Sequence, residues 1–411
     1  MGVEFAALMC HAPIVVPEVG GVEAHRCAAT TRSMREVADR CVASGPDRVV
    51  LVSPHSPRHG RIWGAWEGPL SGSLARFRHA RERVDLPPDP TAIRALGLER
   101  GIRGELDHGA VVPLLFLARS GWRGPTVVLA PPWPLGDAEE IGGALAAIPG
   151  NTAVIASGDM SHRLSVEAPA GYDPQAQAFD RAFVGALRRG DWKGALGAPE
   201  REVAAEDVID STRTAMASIE DARSSAVLSY EGPWGVGYTV AVLHDEKPPL
   251  WAIARGAIES HIRGDAWRQP QGGPAARGVF VTLRKEGELR GCTGRLRPDA
   301  ELLFHEIADI AVGSATRDGR FERVAVWELP ELRYEVSLLG DAEPVEDSEM
   351  IDPRKHGVVV RLGKRRGVLL PAVEHVDTAA KAIGIALRKA GIDPRERYEL
   401  ARFRCRRVVQ P

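Results

Sequence analysis

The feature that most limits the fold is an alternation of short apolar runs with helical segments over roughly the first 243 residues. Residues 48–54, 125–130 and 152–158 are apolar almost throughout, as expected of strands in a sheet that is covered on both faces. Helical patterns separate or follow these runs at 21–43, 111–119, 138–148, 172–189 and 200–222. This order predicts an α/β domain, a three-layer sandwich with a central mixed sheet, in which functional groups gather where strands end.

The pattern changes at Pro248 and Pro249, which follow the strand-like segment 237–243. Proline opposes helix continuation, so a proline pair between two periodic segments indicates a boundary. A chain of 411 residues also exceeds the size of one small domain. After the boundary, hairpin patterns at 278–296 and 357–371 alternate with helices, which predicts a smaller α+β domain. We therefore predict domains at residues 1–246 and 250–411.

Composition excludes several classes of protein. A formal net charge of -2 gives no overall attraction to nucleic acid or to anionic membranes. The five cysteines are odd in number and scattered, which indicates free thiols in a reducing compartment. No apolar run is long enough to span a bilayer. We expect a cytoplasmic protein with no nucleic-acid or membrane partner, and the sequence is compatible with a homo-oligomer.

Several strand or helix ends in the first domain carry a group that can bind a metal or move a proton: His11, His55, His108, His162 and Glu231. Two imidazoles and one carboxylate form a facial set that suits non-haem Fe(II), and His11, His55 and Glu231 provide one. A single histidine at a strand end is more often a hydrogen-bonded cap, and Glu231 alone could be a surface carboxylate. Spacing alone leaves both interpretations open.

Five segments in this order carry a family resemblance: HAPIVVPEVGG, SPHSP, DHGAVVPLLFL, ASGDMSHRL and SYEGPWGVGY. Together they resemble the LigB-type class III extradiol ring-cleavage dioxygenases and, more distantly, the Memo proteins. The resemblance implies that His11, His55 and Glu231 hold the metal, that His162 is the acid/base residue, and that His108 orients the substrate. Memo proteins carry a cysteine near the third ligand position. The carboxylate of Glu231 favours the dioxygenase type, because a hard oxygen ligand suits Fe(II).

The resemblance implies a small aromatic substrate, catechol-like or aminophenol-like, and dioxygen. His162 would take a proton from the substrate and later return one, since an imidazole titrates near working pH. Asp159 either orients His162 or forms a turn. Trp63, Trp66, Trp133 and Trp234 are candidates for a pocket lining or for ordinary packing.

Zn or Mn are the alternative metals. A Zn-dependent hydrolase, a Memo-like metal-binding protein that is not an oxygenase, and a scaffold with a vestigial pocket are the alternative functions.

The second domain resembles the AMMECR-type domain through the segments GVFVTLRKEGELRGCTGRL, LRYEVSLLG and KHGVVVRLGKRRGVLLP and the tail RFRCRRV. The resemblance implies a fold and an accessory role, without a reaction. Cys292 is the candidate site residue, with Arg290 and Arg295 expected to lower its pKa and His305 or His356 to act as bases; its other interpretation is a small buried apolar residue. The basic runs 364–366 and 402–407 could touch phosphate, but a solvated turn and a solvated strand face are the favoured interpretation, because no aromatic residues interleave with them for base stacking.

Overall fold

The computed structural model describes residues 2–60, 62–98, 100–135, 138–219, 225–265 and 274–410. The chain divides into two compact units between Pro248 and Pro249. Unit 1 contains the residues up to Pro248, and unit 2 contains most of those that follow. Within the described ranges, no helix has both the length and the apolar character needed to cross a membrane.

Unit 1 is built on a mixed sheet. Its strands in the described residues are β1 (Gly2–Met9), β2 (Arg48–Val52), β3 (Gly64–Trp66), β4 (Leu70–Leu74), β5 (His79–Leu86), β6 (Arg100–Ile102), β7 (Thr126–Ala130), β8 (Asn151–Ser157), β9 (Ala226–Glu231) and β10 (Tyr238–Asp245). The order of the strands in the sheet is β6-β3-β7-β2-β8-β1-β10-β9, and β4 and β5 pair separately. The mixed sheet with helices that the sequence predicts is confirmed, and the detailed three-layer arrangement stays a prediction. Strands β3 to β6 were not predicted, because β3 and β6 have only three residues each and β4 and β5 flank or lie in a polar, arginine-rich segment.

The helices of unit 1 in the described residues are α1 (Pro17–Gly20), α2 (Ala28–Ala43), α3 (Pro90–Ala95), α4 (His108–Arg119), α5 (Ala138–Ala147), α6 (Ala176–Arg188), α7 (Trp192–Leu196), α8 (Arg201–Ala204) and α9 (Val208–Ala217). The central strand β1 is packed on both faces. Phe5, Ala7 and Met9 belong to one buried cluster with residues of α2 and α4. Ala6 and Leu8 belong to another with residues of α6 and α9. Alternate side chains of one strand thus serve two apolar cores, which explains the continuous apolar run.

Three neighbouring strands place the functional loops. β1 and β2 each pair with β8 in parallel. The carboxyl ends of parallel strands lie at the same edge of a sheet, so the segments after Met9, Val52 and Ser157 begin side by side.

The helix predicted over 200–222 is interrupted. Ala205 adopts a left-handed backbone conformation with φ 52°, which ends α8, and α9 begins only at Val208. Asp207 stands at the N-cap position of α9, yet its side chain makes no capping hydrogen bond. Glu206 caps instead, because its Oε2 accepts a hydrogen bond from the backbone nitrogen of Ile209 at 2.8 Å. The break therefore leaves the carboxylate of Asp207 free for another role; residues 220–222 of the prediction lie outside the described residues.

Unit 2 is α+β, as the sequence predicts. Its strands in the described residues are β11 (Val279–Lys285), β12 (Glu288–Arg295), β13 (Leu332–Leu339), β14 (Glu343–Pro344), β15 (Gly357–Leu362), β16 (Arg365–Leu369), β17 (Glu399–Phe403) and β18 (Cys405–Val409), and the helices are α10 (Leu250–Arg263), α11 (Leu303–Thr316) and α12 (Ala379–Ala390). The strands form two sheets, with the orders β12-β11-β13-β18 and β14-β17-β15-β16. Both predicted hairpins are present, β11–β12 with Glu286 and Gly287 in the turn and β15–β16 around Gly363.

Gly158 provides a test of how closely β8 packs on α9. A Cβ at Gly158 would lie 2.5 Å from the Cα of Val208, whereas a Cβ at Gly143, on α5, would meet nothing within 4 Å. We expect Gly158→Ala to lower the free energy of unfolding by about 1–3 kcal/mol through overpacking. Gly143→Ala should leave it unchanged or raise it, because alanine favours a helix. Scanning calorimetry measures both, and equal stability of the two variants would contradict this packing.

Candidate metal centre

Two histidines meet where parallel strands end. His11 follows β1 and is 2% exposed, and His55 follows β2. Their Nε2 atoms lie 3.1 Å apart. Two imidazole nitrogens that face each other at this distance favour a shared proton or a shared cation.

A carboxylate completes the group. Oδ2 of Asp207 lies 3.3 Å from Nε2 of His11 and 3.1 Å from Nε2 of His55. The three ligand atoms thus form a nearly equilateral triangle. Ligands held about 2.0–2.2 Å from one divalent cation are separated by about 2.8–3.1 Å at neighbouring octahedral positions and by about 3.3–3.6 Å in tetrahedral geometry. The donor set and its spacing therefore fit a divalent metal.

Asp159 holds Asp207 in place. The backbone nitrogen of Asp159 donates to Oδ1 of Asp207 at 2.6 Å, and the backbone nitrogen of Asp207 donates to the carbonyl of Asp159 at 3.3 Å. Asp159 also accepts a hydrogen bond from the backbone nitrogen of His11 through Oδ1 at 3.0 Å. One oxygen of Asp207 is thereby occupied, and the other remains for the two histidines.

A second chain of hydrogen bonds orients the ring of His11. Ser157 Oγ lies 3.0 Å from Nδ1 of His11 and donates its own proton to the carbonyl of Gly109. Because the hydroxyl proton of Ser157 is already donated to Gly109, its oxygen accepts a hydrogen bond from an N–H at Nδ1 of His11. The lone pair of a neutral His11 then lies on Nε2, the atom that faces His55 and Asp207. This tautomer is the one that a metal ligand needs.

Asp107 joins the end of β2 to the beginning of α4. Its carboxylate accepts hydrogen bonds from Ser53 Oγ at 2.6 Å, from Ser56 Oγ at 2.7 Å and from the backbone nitrogen of Ala110 at 3.1 Å. The last of these caps α4 at its N-terminus. The other two hold the loop that carries His55 against the first turn of α4.

His108, the first residue of α4, joins the group. Its ring centroid lies 4.3 Å from that of His55 and 5.5 Å from that of His11. One ring nitrogen of each of the three histidines lies within 4.8 Å of the others, which marks them as a set that could hold a metal ion. Of the five residues that the sequence singles out in this domain, the structure thus brings three together, His11, His55 and His108.

The surroundings shift the pKa values of His11 and His108 in opposite directions. Burial alone would lower the pKa of His11, but the carboxylates of Asp159 and Asp207 raise it from 6.5 to about 9. Burial, together with the charges of His11 and His55, lowers the pKa of His108 from 6.5 to about 4. Although burial would raise the pKa of Asp207, His11 and His55 hold it well below its usual range. Near neutral pH the site thus offers an anionic Asp207 and a neutral His108.

The carboxylate of Glu231 makes its hydrogen bonds at the beginning of α2. Its Oε2 accepts hydrogen bonds from the backbone nitrogen of Thr30 at 2.7 Å and from Thr30 Oγ1 at 2.6 Å, and Oε1 accepts one from the backbone nitrogen of Ala29 at 3.4 Å. These groups form the first turn of α2, where a carboxylate satisfies free N–H donors and complements the helix dipole. The structure therefore engages Glu231, the sequence-predicted third ligand, in capping a helix, and brings Asp207 to the histidines.

Two hydrogen bonds hold the backbone of His162, and one nitrogen of its ring has no hydrogen-bond partner among the described residues. Its backbone nitrogen donates to Ala204 at 3.0 Å, and its carbonyl accepts from Ala170 at 3.2 Å. Nδ1 is buried and has no hydrogen-bond partner among the described residues. Burial raises the pKa of Asp159, while the nearby His11 and His162 act to lower it. His162 is thus within electrostatic range of the carboxylate that supports the site, with a polar atom available to a ligand.

A cavity of about 720 Å³ adjoins Asp207. It lies among the loops after β2 and β7 and the segment from α8 to α9. Trp133, one of the tryptophans proposed from the sequence, is 63% exposed there, whereas Trp63 and Trp66 are buried. The residues that line the cavity are Pro54, Arg58, Trp133, Pro134, Leu135, Arg201, Glu202, Ala205, Glu206, Asp207, Asp210 and Arg213.

Cys292 in unit 2 lies in a different setting from the one expected. Arg290 pairs with Glu328, and Arg295 pairs with acidic residues of α11, so neither serves the thiol. Burial raises the pKa of Cys292, and Arg320 and Lys389 oppose this only in part. A raised pKa disfavours a reactive thiolate and supports the interpretation of Cys292 as a packed residue.

Comparisons with known proteins identify both parts of the chain. The model of the family described as "Catalytic LigB subunit of aromatic ring-opening dioxygenase" matches residues 99–241, and the AMMECR1 model matches residues 251–408. Protein CA_C1420 of Clostridium acetobutylicum is 30% identical, over 96% of this chain and 97% of that protein. This chain belongs to the family of LigB–AMMECR1 fusion proteins. The LigB match includes His108, His162, Asp207 and Glu231, and begins after His11 and His55.

Other relatives match one part. A Thermotoga maritima protein is 47% identical over 28% of this chain and 67% of its own length. The crystal structure of uncharacterized protein PH0010 from Pyrococcus horikoshii has a TM-score of 0.37 at 28% identity, covering 40% of this chain and 94% of that one. Uncharacterized protein JW3007 from Escherichia coli K12 has a TM-score of 0.36 at 18% identity, covering 58% and 98%.

The two candidate carboxylates can be separated by metal titration under anaerobic conditions. We expect Asp207→Asn to weaken Fe(II) binding at least tenfold, because it removes the charged member of the triangle. Glu231→Gln should retain metal affinity and instead lower the free energy of unfolding by about 0.5–2 kcal/mol through the weakened helix cap. The reverse pattern, with metal lost only in Glu231→Gln, would restore the sequence-based ligand set.

Proposed function

We propose that unit 1 is a non-haem Fe(II)-dependent dioxygenase of the extradiol type, which cleaves the ring of a catechol-like or aminophenol-like aromatic. The observation that carries the proposal is the triangle of His11, His55 and Asp207 beside a cavity. The LigB family, named for the catalytic subunit of an aromatic ring-opening dioxygenase, supports the same reaction class. Unit 2 would be an accessory domain to this activity.

The donor set supports the choice of metal. Two imidazoles and one carboxylate on one side of an ion leave its other positions open, which is the arrangement that non-haem Fe(II) oxygenases use. Bound Fe(II) would supply the oxygen-binding and redox chemistry of the site. Zn and Mn accept similar ligands and remain the alternative metals. In each case His11, His55 and Asp207 would hold the ion, with His108 next to them.

The cavity supports an aromatic substrate of moderate size. Its volume of about 720 Å³ lies within the range of small-molecule sites, which is about 300–1,000 Å³. Trp133 provides an exposed aromatic face, and the guanidinium of Arg58 lies 5.2 Å from the centroid of that ring. Arg58 is held in turn by Asp210 at 3.0 Å. A ring that enters along Trp133 would reach the site at Asp207.

Two histidines are suited to handle substrate protons. His108 has its pKa lowered to about 4, so near neutral pH its imidazole can accept a hydrogen bond from a substrate hydroxyl. His162 has a buried Nδ1 without a partner among the described residues. We assign His162 the role of acid/base residue and His108 that of orienting the substrate. Neither role requires a further bond to the metal.

The activity is tested by oxygen uptake after anaerobic Fe(II) loading, with a panel of catechols, aminophenols and hydroxylated benzoates. We expect ring cleavage of at least one compound, and His162→Gln should lower kcat by about 10²–10⁴-fold while Fe(II) binding is unchanged, since general acid–base catalysis contributes that much. His25→Gln is the matched control, because His25 is exposed and bonds only to the carbonyl of Val22 among the described residues.

Three outcomes would contradict the proposal. Full turnover in His162→Gln would remove that residue from the reaction. Preference for Zn, with ester or amide hydrolysis and no oxygen uptake, would identify the hydrolase alternative. Absence of any bound metal would favour the scaffold alternative.

A further inference from the structure

A second cavity lies inside unit 2, between its two sheets. It has a volume of about 430 Å³. Its walls come from the loops before β11 and after β12, from the end of β13, and from β15, β16 and β17. The lining residues are Ala276, Arg277, Gly278, Leu296, Arg297, Pro298, Leu339, Gly340, Asp341, Ala342, Val359, Arg361, Arg366, Glu399, Leu400, Ala401 and Phe403.

The floor of this cavity is apolar. Leu339, Val359 and Phe403 form one buried cluster, against which Leu296 and Ala401 pack. The cavity volume of about 430 Å³ lies within the range of small-molecule sites, which is about 300–1,000 Å³, and the floor offers an apolar surface.

The rim of the cavity carries three exposed arginines. Arg277, Arg297 and Arg366 are exposed, and none of them makes an ion pair or a side-chain hydrogen bond with the described residues. The neighbouring residue on β16 behaves differently, since Arg365 pairs with Glu396 at 2.6 Å. Successive side chains of a strand point to opposite faces. Arg365 therefore faces its partner Glu396, whereas Arg366 faces the cavity.

The charge of the lining favours a dianion. Four arginines and two carboxylates line the cavity, which leaves a net charge of +2. Arg361 and Glu399 neutralise each other at 2.7 Å, so the surplus comes from the three rim arginines against Asp341. A phosphate monoester carries a charge of about -1.5 to -2 at pH 7, and guanidinium groups bind its oxygens in a bidentate manner.

We propose that this cavity binds a phosphate monoester with an aromatic or other apolar body. The apolar body lies on the floor around Phe403, and the phosphate lies between Arg277, Arg297 and Arg366. This site belongs to unit 2 and is independent of the metal centre in unit 1. It gives the basic turn at residues 364–366 a recognition role, where the sequence alone allowed a solvated turn.

Isothermal titration of the full-length protein with 1-naphthyl phosphate tests the site. We expect 1-naphthyl phosphate to bind at least tenfold more tightly than 1-naphthol, 1-naphthoate or inorganic phosphate, because only the first provides both the dianion and the apolar body. Arg366→Gln and Arg297→Gln should each weaken binding about tenfold, through loss of charge-assisted hydrogen bonds. Arg333→Gln is the matched control, since Arg333 is an exposed arginine of β13 outside the cavity.

Specific results would overturn the proposal. Equal binding of 1-naphthol shows that the arginines do not recognise the ligand, and equal binding of 1-naphthoate removes the phosphate assignment. Equal losses in Arg333→Gln and Arg366→Gln show a general charge effect. Unchanged melting temperatures of the variants confirm that folding is intact, and two rim variants at different loops keep the test valid if one of them unfolds.

Discussion

The reciprocal hydrogen bonding between Asp159 and Asp207 is the interaction on which the metal centre depends. It ties the end of β8 to the beginning of α9 through two backbone nitrogens, and a third bond reaches His11 at the end of β1. The parallel pairing of β1, β2 and β8 brings these loops to one edge of the sheet. Asp207 stands at the N-cap position of α9, and the bond from the backbone nitrogen of Asp159 occupies its Oδ1, which makes no capping bond to that helix.

The electrostatic balance of this group explains why it suits a cation. The carboxylate of Asp159 and the imidazole of His11 are almost completely buried there, the side chain of Asp207 is 20% exposed, and an isolated buried charge is costly. The carboxylates of Asp159 and Asp207 favour a proton on His11, which is why its pKa rises to about 9. A divalent ion would replace that proton, and the hydrogen bond from Nδ1 to Ser157 already orients the ring for it.

The sequence predicts the fold classes, the main strands of unit 1 and both hairpins of unit 2, because apolar periodicity and turn residues are local signals. It also predicts that His11, His55 and His108 share a pocket, since strand ends converge in α/β sheets. Asp207 was missed, because an apparently continuous helical pattern over 200–222 hides the break at Ala205. The acidic pair Glu206–Asp207 before an apolar run was the available signal for a helix start. Glu231 has the residue type expected of a ligand, and only its tertiary contact with Thr30 reveals the capping role.

The central claim is that His11, His55 and Asp207 are the protein ligands of one divalent metal. The most direct measurement is a crystal structure of the protein loaded anaerobically with Fe(II), with anomalous diffraction recorded at the iron absorption edge. We expect one strong anomalous peak about 2.0–2.2 Å from Nε2 of His11, Nε2 of His55 and Oδ2 of Asp207. A peak coordinated by Glu231, a peak held by the histidines without Asp207, or no peak at His11, His55 and Asp207 would contradict this ligand set.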